Sequence, residues 1–171
     1  GTVQDFGDAY VAAASGGSFA SPIRGVMGGG DSPAYTNVIQ YLTISTLGNT
    51  ADFGDLSTLR GYVSGASSAT RGLFAGGVNP SPSPARVNTI EFVTIASLGD
   101  ATDFGDLTEA SRGIGAASSC IRAVFANGDP GYSADIDYVQ IATTGNGVDF
   151  GDSTLARRGS AGCSNGHGGL G

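Results

Sequence analysis

Short apolar runs separated by glycine-rich and polar turns recur along the whole chain, and no stretch sustains an apolar spacing of 3.6 residues. Residues 39–44 are rich in β-branched and aromatic side chains, which is typical of a strand, and similar segments begin at Ile90 and Ile136. A second strand is predicted at residues 72–75, which run into two glycines that permit a turn with positive φ. The pattern therefore predicts an all-β fold almost without helix.

These runs belong to a repeat. The tetrapeptide Asp-Phe-Gly-Asp (DFGD) begins at residues 5, 52, 103 and 149, and the blocks that follow it align without gaps. Two more strands are predicted in each repeat, one in the Gly/Ala/Ser stretch around residues 64–67 and one near DFGD. Four short strands in 46 to 51 residues have the size of one β-propeller blade. The chain is thus predicted to be a single array with units at 5–51, 52–102 and 103–148 and a partial unit at 149–171.

The number of units bears on assembly. About three and a half units are too few to close a propeller, which has typically four to eight blades. An open array would leave strand edges without partners. We therefore expect that residues 1–171 are part of a longer chain, or that copies of the chain close or extend the array as a homo-oligomer.

Composition and charge exclude several partners. All eight basic residues are arginine, and the net charge is −7. Nucleic-acid binding requires a basic face that displaces counterions, and anionic membranes attract basic segments, so neither partner is expected. No apolar run reaches the roughly 18 residues of a membrane-spanning helix, and no membrane insertion is expected.

The letters DFG also occur in the magnesium-binding motif of protein kinases, but a kinase needs a lysine on the nucleotide phosphates and this chain has none. Paired carboxylates suit glycoside hydrolysis, yet four equivalent copies do not form one catalytic pair. We expect no enzyme and no cofactor. In the favoured interpretation one Asp caps a turn, the Gly has positive φ, and the ring anchors the core at Phe6, Phe53, Phe104 and Phe150. The alternative is a set of calcium ligands at Asp52, Asp55, Asp103 and Asp106.

A column of arginines precedes the second strand of each repeat, at Arg24, Arg71 and Arg122. Because guanidinium matches carboxylate geometry, we predict that these arginines clamp neighbouring units by pairing with the Asp residues. The alternative is a surface that binds acidic glycans.

The variable turns are the candidate contact sites. Residues 78–87 form a long Pro/Ser-rich turn, and the corresponding turns are shorter and carry tyrosines. Aromatic side chains on loop tips suit sugar stacking or protein contact, whereas a spacer without partners is the alternative. The candidate contact residues are Tyr35, Pro82, Pro84, Arg86 and Tyr132.

The remaining reactive side chains are isolated. His167 is the single histidine and lies in a glycine-rich segment without a second ligand or a nucleophile, so a structural or exposed role is expected. Cys120 and Cys163 occupy different positions of the repeat, and we predict two small core residues rather than a disulfide.

The segments RGLFAGG, NTIEFVTIAS and DFGDLTEASRG together resemble a kelch repeat. By this resemblance, residues 76–77 stand for the double glycine, Phe92 for the strand aromatic and residues 112–113 for the Arg-Gly pair. Phe104 takes the position where kelch repeats usually carry Trp, and Asn127 replaces one glycine of the pair in the third repeat. The resemblance implies kelch-like propeller blades.

The segment DFGDSTLARRGSAGCSNGHGGLG is also similar to the DFGD-type repeats of tail-fibre-like structural proteins of marine bacteriophages. This resemblance implies a non-enzymatic virion or extracellular component, a fibre or surface protein whose loops contact a host receptor, either glycan or protein, or a neighbouring subunit. The alternatives are a cellular extracellular kelch-type interaction module or filament subunit, and a glycan-active enzyme on a propeller.

Overall fold

The structure, a computed structural model, describes residues 2–81, 85–129 and 131–163. These residues form β-strands and turns without any helix, which confirms the all-β prediction. Accordingly, the described ranges hold no helix that is long and apolar enough to cross a membrane.

Three antiparallel four-stranded sheets make up the fold, and within each sheet neighbouring strands follow the order of the chain. Sheet I contains β1 (Gly17–Ala20), β2 (Arg24–Gly30), β3 (Thr36–Thr43) and β4 (Ala51–Asp55). Sheet II contains β5 (Ser64–Ser67), β6 (Arg71–Ala75), β9 (Thr89–Thr94) and β10 (Thr102–Asp106). Sheet III contains β11 (Gly115–Ser118), β12 (Arg122–Gly128), β13 (Ser133–Gln140) and β14 (Val148–Arg157). A small hairpin of β7 (Val78–Asn79) and β8 (Ala85–Arg86) projects between β6 and β9.

The DFGD motif ends a sheet instead of beginning one. Residues 52–55 lie in β4, the last strand of sheet I, and residues 103–106 lie in β10, the last strand of sheet II. A unit that starts at DFGD in the sequence therefore spans two sheets. Sequence spacing gives the length of the repeat but does not show which strands share a sheet, because strand pairing is set by long-range contacts.

DFGD also joins each sheet to the next one, in a contact that we name the seam. The backbone amides of Gly99 and Ala101 donate hydrogen bonds to the carbonyl oxygens of Phe53 and Asp55, both at 2.8 Å. The same bonds join sheets II and III, between Gly145 and Phe104 and between Gly147 and Asp106. Since a backbone ladder crosses from sheet to sheet, successive sheets are held in a fixed arrangement.

The apolar cores lie between successive sheets. The core between sheets I and II contains Val26, Ile39, Phe53, Leu56, Val63, Phe74, Val93 and Ile95. The core between sheets II and III contains Ala66, Leu73, Ala75, Ile90, Phe104, Leu107, Ile114, Ala123, Phe125, Val139 and Ile141. Residues at equivalent positions of the repeat therefore line equivalent sides of the two cores.

The first strands of the three sheets consist of small residues apart from Phe19, because they approach one another closely. A Cβ on Gly65 of β5 would overlap with the backbone of Ser18 in β1. The Ser67 hydroxyl donates to the Ala20 carbonyl oxygen at 2.9 Å, and the Ser118 hydroxyl donates to the Ser67 carbonyl oxygen at 2.8 Å. Serine side chains therefore carry hydrogen bonding from sheet to sheet where larger side chains have no room.

A buried polar side chain occupies the same position of β3, β9 and β13, as Gln40, Glu91 and Asp137 respectively. Each accepts a hydrogen bond from a backbone amide in the segment that follows a DFGD motif: from Val11 at 3.2 Å, Ser57 at 3.0 Å and Thr108 at 2.9 Å. In sheet II the carboxylate of Glu91 also forms an ion pair with Arg60, and both side chains are almost completely buried.

The arginine column does bridge neighbouring sheets, but the predicted Asp partners are wrong. Arg24 donates to the Ile95 carbonyl oxygen at 2.6 Å, and Arg71 donates to the Ile141 carbonyl oxygen at 2.9 Å. Each guanidinium also stacks on an aromatic ring of its own sheet, that of Tyr41 for Arg24 and that of Phe92 for Arg71. No ion pair within the described residues joins Arg24 or Arg71 to a DFGD carboxylate, and each planar cation uses a ring and a carbonyl oxygen instead.

Arg71→Ala is expected to lower the free energy of unfolding by about 2 kcal/mol, because it removes both the ring contact and a hydrogen bond from a charged donor. Arg122→Ala is the matched control. Arg122 stacks on Tyr138 at 4.5 Å, but no carbonyl of a following sheet lies among the described residues, so a loss of about 1 kcal/mol is expected. Urea unfolding of both variants under monomeric conditions measures the difference, and equal losses would contradict the carbonyl bond as a source of stability.

Candidate functional site: the loop face

One face of the molecule gathers links and turns from all three sheets. The link into sheet II pairs with the turn after β6 through two backbone hydrogen bonds between Gly61 and Val78, at 3.1 and 2.8 Å. The link into sheet III pairs with the turn after β12 in the same way, through Arg112 and Asp129 at 3.2 and 3.1 Å. The surface formed here, the loop face, consists of Asp31, Tyr35, Tyr62, Arg86, Arg112, Asp129, Tyr132 and Arg158.

The side chains at the centre of the loop face contact one another in series. The Arg112 guanidinium lies 5.4 Å from the Tyr62 ring centre, and its Nε donates to Asp129 Oδ2 at 2.8 Å. Arg86 extends from the β7–β8 hairpin and places its Nη1 3.7 Å from the same carboxylate oxygen. One acidic side chain thus holds two guanidinium groups beside an aromatic ring.

The series continues in both directions from this centre. Asp31 and Tyr35 lie beside Gly61, so closely that a Cβ on this glycine would meet both side chains. On the other side, Arg158 stacks on the Tyr132 ring with 5.0 Å between the guanidinium carbon and the ring centre. The loop face therefore brings tyrosine, arginine and aspartate side chains together from sheet I to sheet III.

Two tyrosines of the loop face have left-handed backbone conformations. Tyr62 has φ of 57° and Tyr132 has φ of 67°. In the aligned repeats, the position of Tyr62 is occupied by Gly113 and Gly159, with φ of 60° and 67°. A bulky side chain in this conformation is a true outlier, and such strain concentrates at functional sites. The first block has Ser15 at this position, with φ of 57°, so the fold imposes the left-handed conformation, and the second block alone places an aromatic ring there.

The pKa values of two groups on the loop face are shifted. Hydrogen bonding to the Asp31 carboxylate raises the pKa of Tyr62, so its hydroxyl stays protonated at neutral pH. The hydrogen bond from Arg112 lowers the pKa of Asp129, which stays ionised. With three arginines and two aspartates, the loop face carries a net charge of about +1 on a chain whose net charge is −7.

An open pocket of about 330 Å³ lies in the middle of the loop face, lined by Tyr62, Arg112, Gly113, Asp129, Arg158 and Gly159. Tyrosine rings offer an apolar surface with a polar tip, and guanidinium groups offer a planar fork for carboxylates. This combination suits a ligand that has both a flat apolar face and an anionic group.

Three of the residues predicted from the variable turns lie on this face: Tyr35 beside Gly61, Arg86 beside Asp129, and Tyr132 beside Arg158. Pro82 and Pro84 lie outside the described residues. The sequence reasoning missed Tyr62, Arg112 and Arg158, because they belong to links rather than turns. A signal was present, since the gapless alignment places Tyr62 in a column with Gly113 and Gly159.

The DFGD motifs show two different environments. The rings of Phe53 and Phe104 are 2% exposed and lie in the apolar cores as predicted, whereas those of Phe6 and Phe150 are 37% and 56% exposed, so their predicted place as core anchors is wrong. The Asp5 and Asp149 carboxylates accept hydrogen bonds from the amides of Gly7 and Gly151, at 3.1 and 2.7 Å. These hydrogen bonds form the predicted turns capped by Asp, and they occur at the two motifs whose phenylalanine rings are exposed.

The alternative of a calcium site gains no support from this geometry. The described ranges contain no group of three Asp, Glu, His or Cys side chains arranged to hold a metal ion, at Asp52, Asp55, Asp103 and Asp106 or elsewhere. His167 lies outside the described residues.

Both cysteines have free thiols and are exposed, so their predicted place in the core is wrong. Cys120 lies in the tight turn between β11 and β12, which faces solvent. Cys163 lies at the end of the described chain, beside the small-residue strands.

The fold and the site together define an all-β repeat protein that displays an aromatic and basic loop face. No protein-family model matches the chain, and no curated protein matches it. The resemblances to kelch repeats and to phage fibre repeats therefore stay predictions.

Proposed function

We propose that this chain is a non-enzymatic virion structural protein, a bacteriophage fibre or surface component, whose loop face binds an acidic glycan on the host surface. The observation that carries the binding proposal is the pair of exposed tyrosines, Tyr62 and Tyr132, held in left-handed conformations next to arginines. Sugar rings stack on such aromatic faces, and uronic acid carboxylates fit the guanidinium fork.

We propose further that the units are kelch-like propeller blades. Each sheet is an antiparallel meander of four strands, as in a blade. The three first strands and the segment at Gly162 line one shared cavity of about 240 Å³, which supports an arrangement around a common axis. The apolar cores between sheets support the same arrangement.

The binding proposal is tested with alginate, a polymer of uronic acids, against neutral dextran. The wild-type protein is expected to bind alginate, and Tyr62→Gly is expected to weaken binding about tenfold, since one aromatic contact contributes about 1.4 kcal/mol. Glycine suits this position because Gly113 and Gly159 occupy it in other repeats, so the melting temperature should change little. Tyr10→Ala is the matched control, because Tyr10 is 59% exposed and lies off the loop face.

Biolayer interferometry on the immobilised polymers measures these affinities. Binding by Tyr62→Gly that equals that of the wild type and of Tyr10→Ala would contradict the loop face as the binding surface. Equal binding to dextran would contradict the role of the carboxylates.

The virion proposal needs a separate test. An antibody against the chain, used in immunogold electron microscopy, is expected to label phage-sized particles purified from the source of the gene. Labelling of cell surfaces or of free filaments instead would favour the cellular interaction module. Turnover of a glycoside panel by the purified protein would overturn the non-enzymatic assignment.

A further inference from the structure

Sheets I and II each bury one side against the next sheet along the chain. In sheet III the equivalent side is exposed. In sheets I and II the side chains on this side are at most 2% exposed: Val26, Ile39 and Phe53 in sheet I, and Leu73, Ile90 and Phe104 in sheet II. The equivalent residues of sheet III are Val124 and Ile136, which are partly exposed, and Phe150, which is 56% exposed. Sheet III therefore presents an uncovered copy of an interface that occurs twice within the chain.

Polar groups on this side of sheet III lack the partners that their equivalents have. Arg24 and Arg71 each donate to a carbonyl of the following sheet, while within the described ranges Arg122 reaches only the Tyr138 ring. A Cβ on Gly54 would overlap with the backbone of the following sheet, but a Cβ on Gly151 would meet nothing within 4 Å. Among the described residues, none occupies the space that a following sheet would fill.

Sheet I exposes the opposite side of the same interface. Its Met27, Leu42 and Ile44 are equivalent to Phe74, Val93 and Ile95 of sheet II and to Phe125, Val139 and Ile141 of sheet III. Ile44 is 45% exposed, whereas Ile95 and Ile141 are each 1% exposed. The Ile44 carbonyl is equivalent to the two carbonyls that accept hydrogen bonds from the arginine column.

We infer that sheet III of one copy docks head to tail on sheet I of a second copy, and thus repeats the interface found between sheets I and II. In this contact Arg122 donates to the Ile44 carbonyl of the second copy, and Phe150 is covered by Leu42 and Ile44. A heterologous contact of this kind forms rings when the rotation closes and filaments when it does not. The inference is independent of the proposed glycan and virion roles.

On sheet I, the backbone amides of the seam already have a partner within the same chain, and this partner shows how the contact between copies forms. Residues 5–8 of the same chain, themselves a DFGD motif, accept hydrogen bonds from Gly48 and Thr50 at 2.8 and 2.9 Å. Residues 2–10 are exposed along their whole length. Residues 149–152 of another copy have the identical sequence, so they replace these bonds one for one. When residues 149–152 of a second copy replace residues 5–8, Phe150 and Val124 also become buried. This additional apolar burial favours the contact between copies.

The test uses two complementary variants of the full chain. Phe150→Glu places a charge on the sheet III side, and Ile44→Glu places one on the sheet I side. Light scattering after size exclusion is expected to show wild-type masses that rise with concentration in multiples of 16.9 kDa. Each variant alone is expected to be a monomer, and an equimolar mixture is expected to form a dimer, because each variant keeps the side that the other needs.

Leu98→Glu is the control for added charge, since Leu98 is 57% exposed and lies on neither side, and it is expected to associate like the wild type. Phe150→Ser and Ile44→Ser repeat the test if a glutamate variant fails to fold. A wild-type monomer at every concentration overturns the inference. It is also overturned if one variant alone associates, which indicates a face-to-face contact, or if the mixture stays monomeric.

Discussion

Replacing Arg60 by alanine is expected to lower the free energy of unfolding by about 3–5 kcal/mol, one of the two largest single losses that this structure predicts. Arg60 is 1% exposed, forms an ion pair with Glu91, and donates to the carbonyl oxygens of Gly76 and Thr89 at 3.3 and 3.1 Å. Burial lowers the pKa of Arg60 to about 10, so the group is still charged at neutral pH. Its removal leaves the Glu91 carboxylate buried without a counter-charge. Urea unfolding at neutral pH measures the loss.

Arg157→Ala is the control, because Arg157 occupies the same position of the last aligned block and is exposed. It is expected to change stability by no more than about 0.5 kcal/mol. An equally small loss of unfolding free energy for Arg60→Ala would show that the attraction within the buried ion pair only offsets the cost of desolvating it.

The double variant Arg60→Ala with Glu91→Gln distinguishes a lost pair from an unpaired charge. It reproduces the combination that sheet I has at these positions, Ala13 and Gln40, where the amide accepts a backbone hydrogen bond without any ion pair. We expect it to recover most of the loss, because no charge remains buried. If it is as unstable as the single variant, the stability comes from the contacts of Arg60 with the two carbonyls.

The repeat explains how much of this fold the sequence could predict. Periodicity and β-branched runs located the strands, and the alignment correctly matched Asn127 and Gly128 to the double glycines, since Asn127 has φ of 63° and Gly76 has the same value. The assignment of DFGD to the start of a unit did not reveal its place as the last strand of a sheet. That place depends on pairing between strands, and no local pattern encodes it.

The site was predictable only in its turns. Tyr35, Arg86 and Tyr132 lie in segments of variable length, which sequence comparison within the chain detects. Arg112 becomes part of the loop face because its link pairs with the turn at Asp129, 17 residues further along the chain. The prediction for the arginine column was wrong for a different reason. Charge complementarity suggested carboxylates as partners, whereas packing places aromatic rings and carbonyl oxygens beside these arginines.

Gly54→Ala is expected to destabilise the protein by about 3–5 kcal/mol, because it combines backbone strain with a clash in the seam. Gly54 has φ of 148°, which side chains rarely adopt, and a Cβ there would overlap with the backbone at Gly99 and Asp100. The obstruction is backbone, which cannot rotate away as a side chain does. The amides of Gly99 and Ala101, which donate across the seam, should therefore exchange their hydrogens faster in the variant.

Gly151→Ala is the matched control within the same motif. Gly151 has φ of 125°, but a Cβ there meets nothing within 4 Å, so only the strain of about 1–2 kcal/mol remains. Both variants are unfolded in urea under monomeric conditions, and the difference between them isolates the contribution of close backbone approach between sheets I and II. Equal losses would show that the glycine is needed for its conformation alone. In that case the seam tolerates a methyl group, and the conformation at DFGD, rather than the approach of the next sheet, determines the residue.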